Sequence, residues 1–222
     1  MSTALILSVM LAGPSLVYAT CNPLRTNQVN SGFAGTLHSP GSTPGGVKAT
    51  IDEYSPFVVS GSQVYAWVML QTGGQFWAQV GWEQTNGVHS VFYQVIADSG
   101  TLIQNNFPGH AIGTHTVYKQ LYDPATKTFT MYDASNLLLS TTQNWVPDQI
   151  QIFGETHRRS DQMPGGTGAH VKFLDTYEKL GTTWFSLTSP AVTQFAGLPT
   201  NLYGATRVSS VDYEIWDKGC GT

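Results

Sequence analysis

Glutamine, glutamate and aromatic residues recur at two-residue spacing in three stretches of this chain. In the run FWAQVGWE, Trp77, Gln79, Gly81 and Glu83 fall on one face of an extended strand, and Phe76, Ala78, Val80 and Trp82 on the other. In QIQIFGE, Gln149, Gln151, Phe153 and Glu155 share a face opposite Ile150, Ile152 and Gly154. Between His89 and Ala97, Ser90, Phe92, Gln94 and Ile96 lie together. Carboxylates move protons, amides donate and accept hydrogen bonds, and aromatic faces stack. A concave sheet lined this way makes a cleft for a polymer such as a peptide or a glycan. The plain alternative is a solvated sheet face. The segment FGETHRRSDQMPGG favours a site, because it sets Glu155 at a strand end and runs on into a polar loop through His157.

Other constellations are missing. The chain has no Gly-x-Ser-x-Gly elbow and no His-Glu-x-x-His. Its six histidines lack metal-ligand spacing, so no metal or other cofactor is expected. His157 reads as a partner of Glu155 or as a solvent-facing ring rather than a ligand.

The elements that must position these residues are strands. Beyond the three runs above, strand patterns cover Val47–Asp52, Val64–Leu70, Thr114–Tyr122, Thr128–Tyr132, Val171–Tyr177 and Arg207–Trp216. Asn86-Gly87 is a hairpin signal, and Asp123-Pro124 opens a turn. Residues 27–46 are rich in Gly, Pro and Ser and read as an extended loop. No segment shows a capped helical period. The expected fold is all-β, an antiparallel β-sandwich of the jelly-roll or concanavalin-like kind, forming one domain over 20–222.

Composition agrees. Charged residues are 11% of the 222, while apolar residues are an ordinary 41% and aromatics 12%. That mixture suits half-buried strands and makes poor helices. The net charge of −4, with no basic stripe, argues against nucleic acid as a partner. Residues 1–19, with the apolar run ALILSVMLA, read as a signal peptide too short to span a membrane. The expectation is therefore a secreted, extracellular protein with no membrane attachment once the leader is removed. Cys21 and Cys220, one at each end, are expected to form a disulfide.

The order of motifs resembles the glutamic peptidases, of both the fungal eqolisin type and the plant neprosin type. Ala66-Trp67-Val68, then Ala78-Gln79-Val80-Gly81-Trp82, then Phe92-Tyr93-Gln94, then Gly154-Glu155 follow the eqolisin succession. Gln79-Val80-Gly81-Trp82 and Phe153-Gly154-Glu155 resemble the Glu-x-Gly-Trp and Gly-Gly-Glu runs of neprosins. Gln94 stands where eqolisins have Glu. A rival register through Leu70-Gln71-Thr72-Gly73 leaves no room for a hairpin after Trp67. The resemblance implies a secreted endopeptidase acting on polypeptide. Glu155 would be the general base that activates water, and Gln79 the donor to the developing oxyanion. Trp67, Trp77, Trp82, Gln94, Phe153 and His157 would contact substrate.

Two other readings compete. A non-catalytic sandwich would bind glycan or protein through Trp77, Phe153 and the glutamines. A glycoside hydrolase would need two carboxylates flanking the bond, and Glu83 and Glu155 share a face, though not a strand.

Overall fold

Two-residue periodicity builds two facing sheets. The computed structural model describes residues 21–195 and 201–221. The expected leader over 1–19 lies outside them. The first sheet comprises β1 (Val29–His38), β3 (Gln63–Thr72), β4 (Phe76–Thr85), β5 (Val88–Ile96), β6 (Leu102–Pro108), β10 (Gln149–Arg158) and β14 (Ala191–Phe195). Their spatial order is β14-β1-β10-β3-β4-β5-β6. The second sheet holds β2 (Pro44–Asp52), β7 (His115–Asp123), β8 (Thr128–Asp133), β9 (Asn136–Thr142), β11 (Gly165–Gly166), β12 (Ala169–Leu180), β15 (Tyr203–Arg207) and β16 (Tyr213–Asp217). A short β13 (Thr183–Ser186) pairs with β12. The pairings are antiparallel apart from a single β11–β16 contact. No helix occurs among the described residues.

The inner faces meet in a core that includes Val47, Ala49 and Ile51 of β2, Ala66, Val68 and Leu70 of β3, and Ala78, Val80 and Trp82 of β4. A second, smaller cluster of Tyr65, Trp67, Met69, Phe92 and Phe153 covers the opposite face of the first sheet. Strand β3 is therefore buried on both faces from Val64 to Leu70, which explains why its sequence is a continuous apolar run rather than an alternating one. Burying one such side chain contributes about 1.5–3 kcal/mol.

The hairpin β4–β5 turns at Asn86 and Gly87, with φ of 48° and 79°, as the Asn-Gly pair predicts. Cys21 and Cys220 form the expected disulfide, with Cα atoms 5.7 Å apart.

The loop expected over 27–46 is instead mostly strand. β1 pairs with both β10 and β14, and β2 begins at Pro44. Gly35 marks crowding rather than a loop: a Cβ there would collide with the carbonyl of Ile152 on the neighbouring strand. The single run expected over Arg207–Trp216 is the end of β15, a turn, and β16. Within that turn Ser209 Oγ donates to Asp212 Oδ2 at 2.7 Å.

Candidate functional site

Register places the polar side chains in rows that cross the first sheet. One row reads Gln151, Met69, Gln79, Gln94, Gln104 on β10, β3, β4, β5 and β6. The next reads Phe153, Trp67, Gly81, Phe92, Asn106, and the one beyond it Glu155, Tyr65, Glu83, Ser90. The face encloses a cleft of about 630 Å³. Its lining includes Tyr65, Trp67, Trp77, Gln79, Gln94, Gln151, Glu155 and His157, and Glu155 is the sole acidic residue among those that line it.

Both oxygens of Glu155 are held. The Trp67 indole N–H donates to Oε2 at 2.9 Å, and His157 Nε2 lies 3.2 Å from Oε1. A carboxylate has about four lone-pair positions, so two remain for water or a ligand. Burial of the His157 ring works against its cation. Its hydrogen bond to Glu155 and the negative charges of Glu155, Asp161 and Glu83 outweigh that burial and raise its pKa. His157 thus carries its positive charge to higher pH than a free imidazole, beside the carboxylate it positions.

Tyr65 sits in register with Glu155 on one side and Glu83 on the other. Its ring centroid lies 5.0 Å from those of Phe92 and His157, and its hydroxyl donates to Gln63 Oε1 at 2.7 Å. Burial, and then the charges of Glu83 and Glu155, push its pKa up, against a hydrogen bond with Gln94. The phenol stays a neutral donor at any working pH. Glu83 is almost fully buried and accepts a hydrogen bond from Asn106 Nδ2. Burial raises its pKa, opposed by that hydrogen bond and by the charge of His157.

Gln79 and Glu155 open onto the same cleft, but they belong to different rows. Gln79 Nε2 donates to Gln94 Oε1 at 2.8 Å, and Gln94 Nε2 to Gln104 Oε1 at 3.2 Å. Two strand spacings and four residues separate Gln79 from Glu155, which puts their Cα atoms roughly 16 Å apart. The residue level with Gln79 on β10 is Gln151. Gln71 belongs one row further from Glu155 and donates to Gln149 Oε1.

Two expected substrate contacts need correction. Trp82 points into the core between the sheets, fully buried, and its indole N–H donates to the Asp52 carbonyl at 2.9 Å. Two-residue alternation already put it on the face opposite Gln79. Phe153 has the right face but is completely covered, packed edge-on against Phe33 and tilted against Trp67 at centroid distances of 6.0 and 5.6 Å. It supports the floor and does not line it. Trp67, Trp77, Gln94 and His157 do line the cleft.

Tyr65, Gln63, Gln104, Gln151 and Phe33 also line it, and the motifs did not single them out. The signal available for Tyr65 was its two-residue offset from Trp67 on one strand. All six histidines face carboxylates: His38–Glu178, His89–Glu53, His110–Asp133, His115–Asp52, His157–Glu155 and His170–Glu214. Among the described residues no cluster of three or more His, Cys, Asp or Glu is arranged to hold a metal ion.

No protein-family model matches this chain. No curated protein matches it either. Solved structures do. A scytalido-glutamic peptidase bound to a peptide-based transition-state analogue superposes with a TM-score of 0.60 at 16% identity, over 86% of this chain and 100% of that one. The fold is that of the glutamic peptidases. SCP-B, a member of the eqolisin family solved with the tripeptide Ala-Ile-His, gives a TM-score of 0.58 at 14% identity, with the same coverage. At such identities the likeness is one of fold, and the site has to be argued from its own residues.

Proposed function

We propose that this protein is a secreted endopeptidase that hydrolyses an extended polypeptide lying in the cleft, with Glu155 as general base. The observation that carries the reading is the Glu155 carboxylate itself, the one acidic group lining the cleft, with each oxygen fixed by a separate donor. In the reaction Glu155 takes a proton from water as the water oxygen bonds to the scissile carbonyl carbon. The C–N bond then breaks, and Glu155 returns the proton to the leaving amine. The amide row of Gln151, Gln79, Gln94 and Gln104 offers donors and acceptors to a peptide backbone, and Trp77 a face for a side chain. Two glutamic peptidases of this fold were solved with peptide ligands, which supports a polypeptide as substrate. The disulfide supports an oxidising compartment.

A second reading has its own observation. Gln151 rather than a carboxylate stands level with Gln79. A non-catalytic protein that holds peptide in the same cleft fits a row of amides with no carboxylate. The experiment that separates the two incubates mature protein with denatured casein from pH 3 to 7, beside Glu155→Gln. The peptidase reading expects cleavage by the wild type and a loss of about 10²–10⁴-fold in the variant. Absence of cleavage by the wild type at every pH, with peptide still bound, establishes the binding protein instead.

A further inference from the structure

The oxyanion donor must reach the same carbonyl that the water at Glu155 attacks. We infer that the Tyr65 hydroxyl is that donor, and that Gln79, on which the expected dyad relied, holds substrate backbone instead. The inference rests on the peptidase reading of Glu155.

Cross-strand neighbours have Cβ atoms about 4.5–5.5 Å apart, and Tyr65 and Glu155 are such a pair on adjacent strands. Both are among the residues that line the cleft, Tyr65 with only 2% of its surface exposed. The Tyr65 ring is held between Phe92 on one strand and His157 on another. At rest its proton goes to Gln63 Oε1, and on binding the hydroxyl exchanges this neutral acceptor for a negatively charged one. Gln79 lies four residues along and one strand beyond Tyr65, roughly 14 Å between Cα atoms, with one of its two amide N–H groups given to Gln94. Tyr65 thus belongs to the carboxylate row, between Glu155 and Glu83, and also reaches Gln94 of the amide row.

The test compares Tyr65→Phe, Gln79→Ala and Glu155→Gln in the full mature chain, assayed on one fluorogenic peptide at acid pH. Melting temperatures serve to show that each variant is folded. Tyr65→Phe is expected to lower kcat about 10²–10³-fold, the usual effect of losing one oxyanion donor, with KM nearly unchanged. Gln79→Ala is expected to raise KM and spare kcat. A peptide aldehyde, whose hydrate mimics the tetrahedral intermediate, should bind Tyr65→Phe more weakly by the same factor, while the parent peptide binds as before. Full kcat in Tyr65→Phe together with an inactive Glu155→Gln overturns the Tyr65 role and leaves Glu155 standing. A 10²-fold kcat loss in Gln79→Ala alone returns the donor role to Gln79. An inactive wild type ends both proposals.

Discussion

Trp67 donates its indole N–H to Glu155 Oε2 at 2.9 Å, diagonally across the pairing of β3 with β10. Trp67 is 1% exposed, and its ring packs tilted against Phe153. One side chain thus fills the floor of the cleft and fixes the carboxylate above it. Trp67→Phe keeps a ring and removes the donor. Its unfolding free energy should fall by about 1.5–3 kcal/mol, the range for hydrogen bonds to charged groups, and by more if the vacated space stays open. Urea titration measures this. A loss under about 0.5 kcal/mol, the usual scatter of harmless substitutions, would show that the bond does not hold Glu155.

Stability should be greatest in acid. Burial raises the pKa of Asp52, Glu83, Asp161, Glu178 and Asp217 above the ordinary 3.8 or 4.5, against opposing hydrogen bonds or nearby cations. A raised folded-state value means the contribution to stability is fully present below the unfolded value and is lost as pH climbs through the folded one. His157 has the same sign from its ordinary 6.5, its carboxylate neighbours outweighing its burial. The melting temperature should therefore decline from about pH 4 toward pH 8. Calorimetry across that range is the check, and a curve that rises with pH contradicts it. Glu83→Gln leaves Asn106 an acceptor and removes one ionisation, so it should melt higher than the wild type at pH 7 and equally at pH 3.5.

Much of this architecture was legible in the sequence because the strands that build the cleft carry their period openly. Phe76–Thr85 and Gln149–Arg158 sort into faces by counting alone, which placed Gln79, Gln151 and Glu155 correctly. Two of the strands that escaped notice, β1 and β6, have residues that answer to neighbours instead. β1 needs Gly35 where Ile152 approaches, and β6 is a mostly exposed edge strand whose Gln104, Asn105 and Asn106 show no apolar–polar alternation. The pairing of Gln79 with Glu155 was beyond sequence for a different reason. Face is a property of one strand, but row is a property of register between strands, and register comes from hairpin lengths and bulges. Two residues on one face still differ by two rows.

The disulfide should act chiefly through the unfolded chain. Cys21 and Cys220 are 199 residues apart, and closing so long a loop removes about 5 kcal/mol of denatured-state entropy on the chain-entropy model. In the folded state the C-terminal end has other anchors, since the Cys220 carbonyl accepts from Thr167 N and Oγ1 at 2.8 and 2.9 Å. A Cys21→Ser/Cys220→Ser protein should therefore keep its native circular dichroism while its urea midpoint drops sharply. Unchanged midpoints would mean that the two ends already meet in the unfolded state.

Gln151→Glu offers the sharpest test of the row argument. Gln151 and Gln79 are level across Met69, with Cα atoms about 10 Å apart, and both open onto the cleft. Side chains of this length pointing into one cleft from that separation can flank a single water. A carboxylate at 151 would thus create, in one row, the Gln and Glu pairing that the resemblance to glutamic peptidases led us to expect of Gln79 and Glu155. Gln149, which now accepts from Gln151 Nε2 at 2.8 Å and from Gln71 Nε2, can donate to the new carboxylate when its amide and that of Gln71 turn together. Placed in a Glu155→Gln protein, Gln151→Glu is expected to restore cleavage of denatured casein at acid pH, and a further Gln79→Ala should abolish it again. If the restored activity ignores Gln79, the new carboxylate is working with another donor. If no activity returns while peptide still binds, the amide row is a cradle for substrate and nothing more.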